Sequence, residues 1–77
     1  MLPEELVRYI TRSLVENPEE VKVKTVDKGR IVVIEVSVAP DDMGRVIGRQ
    51  GRIANAIRTL VKSATSNVDK KYVVDIL

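Results

Sequence analysis

Arg45-Val46-Ile47-Gly48-Arg49-Gln50-Gly51-Arg52-Ile53 is the stretch on which the reading of this chain turns. Upstream, Met43 to Ile47 has room for little more than one helical turn. Downstream, Ile53, Ile57, Leu60, Val61 and Ala64 recur at helical spacing and predict a longer helix from near Gly51. Two glycines three apart therefore break what would otherwise be one amphipathic helix. Lacking Cβ, glycine permits unusual backbone angles and lets another molecule approach the main chain. Unpaired N–H groups gather at the start of the following helix, whose dipole favours negative charge, so a phosphate is the fitting guest. Arg49 within the loop and Arg52 just past it add charged donors suited to phosphate oxygens, and Gln50 adds neutral hydrogen bonding. A tight corner between helices would also use the glycines, but would not call for the flanking arginines.

Working outward, Pro40-Asp41-Asp42 opens the short helix, with Asp41 expected as its N-cap. Before it lie two predicted strands, Val21 to Val26 and Arg30 to Val38, joined by Asp27-Lys28-Gly29, where glycine can take the positive φ of a tight reversal. In the second strand Val32, Ile34, Val36 and Val38 alternate onto one face, with Glu35 and Ser37 on the other. The chain starts with a predicted helix from Pro3 to Val15, in which Leu6, Ile10 and Leu14 recur every fourth residue, and Asn17-Pro18 stops it. It closes with a strand, Tyr72 to Ile76, turning Tyr72, Val74 and Ile76 inward. The order is α-β-β-α-α-β, an α+β domain. A hairpin makes the first two strands antiparallel, and the helical crossover makes the last two parallel. A three-stranded mixed sheet with three helices on one face is expected, as one domain over residues 1–77.

Composition narrows the function. Of 77 residues, 44% are hydrophobic and 3% aromatic, so the core must be aliphatic. With no cysteine and no histidine, disulfides, thiol nucleophiles, Cys/His zinc sites and imidazole catalysis are excluded. The loop lacks the Gly-Lys-Ser/Thr ending of a P-loop, and no dinucleotide fingerprint is present. Adjacent Asp41 and Asp42 are read as helix-start residues, not as a catalytic pair, so no enzyme activity and no cofactor are expected. No apolar run approaches the roughly 20 residues that span a bilayer, and Met1-Leu2-Pro3-Glu4-Glu5 lacks the features of a secretory leader. A cytoplasmic protein is expected.

The net charge of +2 is mild, but its distribution is not. Glu4, Glu5, Glu16, Glu19 and Glu20 crowd the first twenty residues, whereas Arg45, Arg49, Arg52, Arg58 and Lys62 lie in one stretch with no acid between them. Arg49 and Arg52 are the firm phosphate candidates; Arg45 and Arg58 fit either a contact or ordinary surface charge. Lys22 and Lys24 alternate with valines in the manner of edge-strand protection. Beside the loop, Val46, Ile47 and Ile57 are candidates to line an aliphatic groove, with Ile34 and Val36 of the second strand opposite. Bases would lie there while the loop holds the backbone. Tyr9 and Tyr72, the only aromatics, are expected to pack in the core or groove, too few for a base-stacking platform.

Val46-Ile47-Gly48-Arg49-Gln50-Gly51 resembles the GxxG signature of KH domains, and the α-β-β-α-α-β order resembles the bacterial, type II form of that fold. Essentially the whole chain resembles the small stand-alone bacterial KH proteins of the KhpA type. Their motif Asp-Met-Gly-x-Val-Ile-Gly-x-Gln-Gly-Arg is matched by Asp42 to Arg52, and Ala-Ile-Arg-Thr-Leu by Ala56 to Leu60. The resemblance implies single-stranded RNA or single-stranded DNA as ligand, clamped over about four nucleotides, and a role as RNA chaperone or post-transcriptional regulator. It also implies a homodimer, or a heterodimer with a KH protein of the KhpB or Jag type. It places the hairpin turn beside the groove, where Lys28 and Arg30 fit either a phosphate contact or solvated turn charge. The chain departs from the eukaryotic Gly-x-x-Gly-x-x-Ile pattern, since Ile53 comes one residue early and Ala54 takes its place. The alternative reading is a protein-interaction module in which the KH fold serves mainly as a dimerisation surface and RNA contact is incidental.

Overall fold

The computed structural model describes every residue from Met1 to Leu77. Helix α1 (Pro3–Leu14) leads through a 3₁₀ turn at Pro18–Glu20 into strands β1 (Lys22–Asp27) and β2 (Ile31–Ser37). A second 3₁₀ turn, Pro40–Asp42, precedes helix α2 (Met43–Ile47); helix α3 (Arg52–Ala64) and strand β3 (Lys71–Ile76) complete the chain. The expected order and mixed sheet are both present, with β2 central, β1 antiparallel to it and β3 parallel.

Each element has a local cause. Proline begins α1, and the Glu5 carboxylate accepts the Leu2 N–H at 2.8 Å, satisfying one of the donors a helix start leaves bare. The hairpin closes with Gly29 at φ +91°, the Gly29 N–H bonded to Asp27 Oδ1 at 2.8 Å and the Lys28 N–H to the Ile31 carbonyl at 2.8 Å. Along β2 the alternation is clean: Val32, Ile34 and Val36 are buried, while Val33, Glu35 and Ser37 are half-buried on the other face.

The core draws on every regular element but β1: Val7 from α1, Ile34 and Val36 from β2, Val46 from α2, Ile57 and Val61 from α3, and Val74 from β3. Two expectations about it need correction. The buried line of α1 is Val7 and Thr11, with Leu6, Ile10 and Leu14 only half-buried beside it, because the sheet meets this helix one residue round from the apolar stripe. Tyr9 lies on the outer side of α1 and is 67% exposed, so it packs in neither core nor groove; Tyr72 is half-buried.

Candidate nucleic-acid interface

The Gly48–Gly51 segment folds as a 3₁₀ turn between α2 and α3, and its backbone explains its residues. Gly48 has φ +75° and ψ 173°, a region essentially restricted to glycine. A Cβ there would sit 2.4 Å from Cγ1 of Ile53, so the site excludes a side chain twice over. Gly51 is left-handed, at φ +75° and ψ 14°, but a Cβ on it would meet nothing closer than the Asn55 amide nitrogen at 3.9 Å. Gln50 also adopts positive φ, at +57°.

The bare donors sit one step earlier than the start of α3. Gly48 N–H bonds the Gly44 carbonyl at 2.9 Å and Gly51 N–H bonds the Gly48 carbonyl at 3.2 Å, while Arg52 N–H is taken by the Arg49 carbonyl. None of the hydrogen bonds made by turns, loops and caps uses the N–H of Arg49 or Gln50, and both residues are exposed. Two adjacent main-chain donors on exposed residues are therefore left unengaged, flanked by Arg49 and Arg52, neither of which pairs with an acid.

Arg45 is held differently. Its guanidinium pairs with Glu16 and lies 3.7 Å from Asp42 Oδ1, so it braces the end of α1 against α2. Asp42 is the residue sequence reasoning undervalued. Instead of Asp41 capping the helix, Asp42 is 1% exposed and its carboxylate accepts three bonds at 3.0 Å, from the Glu16 N–H, the Asn17 N–H and the Asn17 side-chain amide. The Glu16 N–H, foremost, holds its pKa below the ordinary carboxylate range despite burial. The only signal was an acid next to Met43 that had no need to be a cap.

The expected groove is closed. Val46, Ile57, Ile34 and Val36 are 0–2% exposed, because β2 is the central strand and the helices cover it; only Ile47, 38% exposed, remains at the surface beside the loop. The open space lies instead between α3 and the edge strand β3, a cleft of about 570 Å³ bordered by Arg58, Lys62, Thr65, Ser66, Tyr72 and Val74 among others. Arg58 bridges it, its Nε donating to the Val74 carbonyl at 3.2 Å. The segment flanking this cleft is the connection from α3 to β3. The hairpin turn with Lys28 and Arg30 lies at the opposite end of α3 from Gly48–Gly51, roughly 20 Å away at 1.5 Å per helical residue.

No group of three or more acidic residues is placed to hold a metal ion, and no helix is long and apolar enough to cross a membrane.

Nearly the whole chain matches known proteins. The family model described as KhpA/KhpB, KH domain, matches residues 4–76. The chain is 51% identical over 73 residues to the RNA-binding protein KhpA of Caldanaerobacter subterraneus subsp. tengcongensis, covering 95% of this chain and 97% of that one. It is 52% identical over 73 residues to the RNA-binding protein KhpA of Clostridium perfringens, with the same coverage. Among solved structures, Era in complex with MgGDPNP and a segment of 16S ribosomal RNA superposes with a TM-score of 0.66 at 20% identity, over 97% of this chain and 30% of the Era chain. At that identity the likeness is one of fold.

Proposed function

The chain belongs to the KhpA/KhpB family of KH domains, a non-enzymatic family, and on that premise we propose that it is an RNA-binding protein whose Gly48–Gly51 turn clamps the backbone of single-stranded RNA. The observation that carries the reading is the exposed turn itself: the unengaged N–H groups of Arg49 and Gln50 between two unpaired arginines, in a stretch from Met43 to Val68 that contains no acid. Bases of the clamped strand lie along the α3–β3 cleft, against the half-buried Tyr72 and within reach of Arg58. A footprint of about four nucleotides binds weakly. Assembly with a second KH subunit, a copy of this chain or a KhpB-type protein, raises affinity through effective concentration and suits a cytoplasmic RNA chaperone or regulator.

Replacing Arg49 and Gln50 together by Asp tests the clamp. Both positions are exposed, and Asp tolerates the positive φ at position 50. Binding to single-stranded RNA should weaken about a hundredfold, the loss of roughly 3 kcal/mol in charged hydrogen bonds, while thermal unfolding stays close to wild type. Retained RNA affinity in this variant would refute the clamp.

A further inference from the structure

The cations of this chain divide by what they touch. Arg8, Arg45 and Lys70 are engaged by Glu4, by Glu16 with Asp42, and by Asp27. Arg52, Arg58, Lys62, Lys71 and Arg30 have no acidic partner, and the fold sets them in sequence along one side of the molecule. Arg52, Asn55, Arg58 and Lys62 recur at spacings of three, three and four, so they share a face of α3 over about 15 Å. Arg58 is fixed on that face by Asn55 Oδ1 at 3.4 Å and by β3 through Val74.

At the far end the α3–β3 cleft runs into a second hollow of about 380 Å³, bordered by Arg30, Val68, Asp69, Lys70 and Lys71, and the two share Val68, Lys70 and Lys71. Its walls are tied together. Lys70 Nζ lies 2.8 Å from Asp27 Oδ2, which fastens the α3–β3 connection to the hairpin, and the Lys71 N–H bonds the Arg30 carbonyl at 2.8 Å. Asp69, the one acid bordering the hollow, is unpaired, and Asp27 is neutralised by Lys70, so Arg30 and Lys71 outweigh Asp69 and leave the hollow net positive.

We propose that this hairpin end is a second phosphate-binding site, so that RNA gripped at Gly48–Gly51 runs along the cleft and is held again by Arg30 and Lys71. The proposal rests on the clamp reading and extends it: the footprint exceeds the roughly four nucleotides a KH loop holds. Single-stranded RNA is the ligand because the cations continue, without an intervening acid on α3, from the loop that would hold its backbone.

The test measures fluorescence anisotropy of labelled random-sequence RNAs of 6 and 12 nucleotides against wild type, Arg30→Glu/Lys71→Glu and the Arg49→Asp/Gln50→Asp variant. A four-nucleotide site has about threefold more registers on the longer RNA, so wild type should prefer it by clearly more than threefold. Arg30→Glu/Lys71→Glu should lose tenfold or more on the 12-mer and little on the 6-mer. The slope of log K against log salt on the 12-mer should shrink by about 1.4, two contacts at about 0.7 each. Unchanged 12-mer affinity and slope, or an equal loss on both lengths, would overturn the second site. An Arg49→Asp/Gln50→Asp variant that binds both RNAs as tightly as wild type would instead sink the clamp and, with it, the second site that rests on it. Arg30→Gln/Lys71→Gln, checked by thermal melting, repeats the test without introducing negative charge, and should lose length preference to a smaller extent.

Discussion

Alanine at Gly48 and alanine at Gly51 look alike on paper, and the backbone makes them unequal. At Gly51 the left-handed conformation costs a side chain about 1–2 kcal/mol, of which about 0.5 returns through the lost freedom of the unfolded chain. Space is open around it, the nearest group being 3.9 Å away. The net is about 1 kcal/mol. At Gly48 the backbone region is essentially glycine-only, at about 1–3 kcal/mol. The new methyl would also stand 2.4 Å from Ile53 Cγ1 and 3.0 Å from the Ile53 nitrogen, so either a core-packing side chain or the first turn of α3 must shift. Overpacking of that kind costs about 1–3 kcal/mol more, bringing the total to about 4. A chain of this length has roughly 4–12 kcal/mol of stability in all. At 4–8 °C per kcal/mol, Gly51→Ala should lower Tm by roughly 5 °C and Gly48→Ala by roughly 20 °C. Urea and thermal unfolding followed by circular dichroism measure both, with the m value showing whether compactness changed. Equal losses at the two positions, or a Gly48→Ala melt within a few degrees of wild type, would refute the steric argument.

Two further outcomes are expected. Thr11 is fully buried with its hydroxyl unpartnered, so Thr11→Val, which keeps the shape and removes the orphan, should raise stability by about 1 kcal/mol; a lower Tm would show that the hydroxyl is satisfied in solution. Asp42 has a folded pKa below its unfolded one, so its contribution is present above about pH 4 and fades as pH falls through the folded value. Asp42→Asn should therefore lower Tm at pH 7 and flatten the fall in Tm on acidification, leaving the acid dependence due to Glu4 and Asp27, whose pKa values are also lowered. An acid limb as steep as wild type would remove Asp42 from that role.

Local pattern alone was enough for the order of elements, the hairpin, the alternation of β2 and the break at Gly48–Gly51, because each is written in neighbours: helical or two-residue periodicity, a proline stop, a glycine at a reversal. What only the folded chain decided depends on residues far apart in sequence. Val46 and Ile57 read as groove-lining because they flank the loop, yet the central position of β2 places them under the helices, and the open cleft falls at β3, the strand that has no neighbour on one side. Arg45 fits a phosphate contact or ordinary surface charge equally well on sequence, and it is Glu16, 29 residues away, that engages it. Asp42 holds the chain after α1 across 25 and 26 residues. Periodicity tells which side of an element is apolar, but it does not say which partner will cover it, and charge along a chain does not say which cations will find an acid. Those are settled only when the sheet closes and sets the ends of α3 beside the loop at one end and the hairpin at the other.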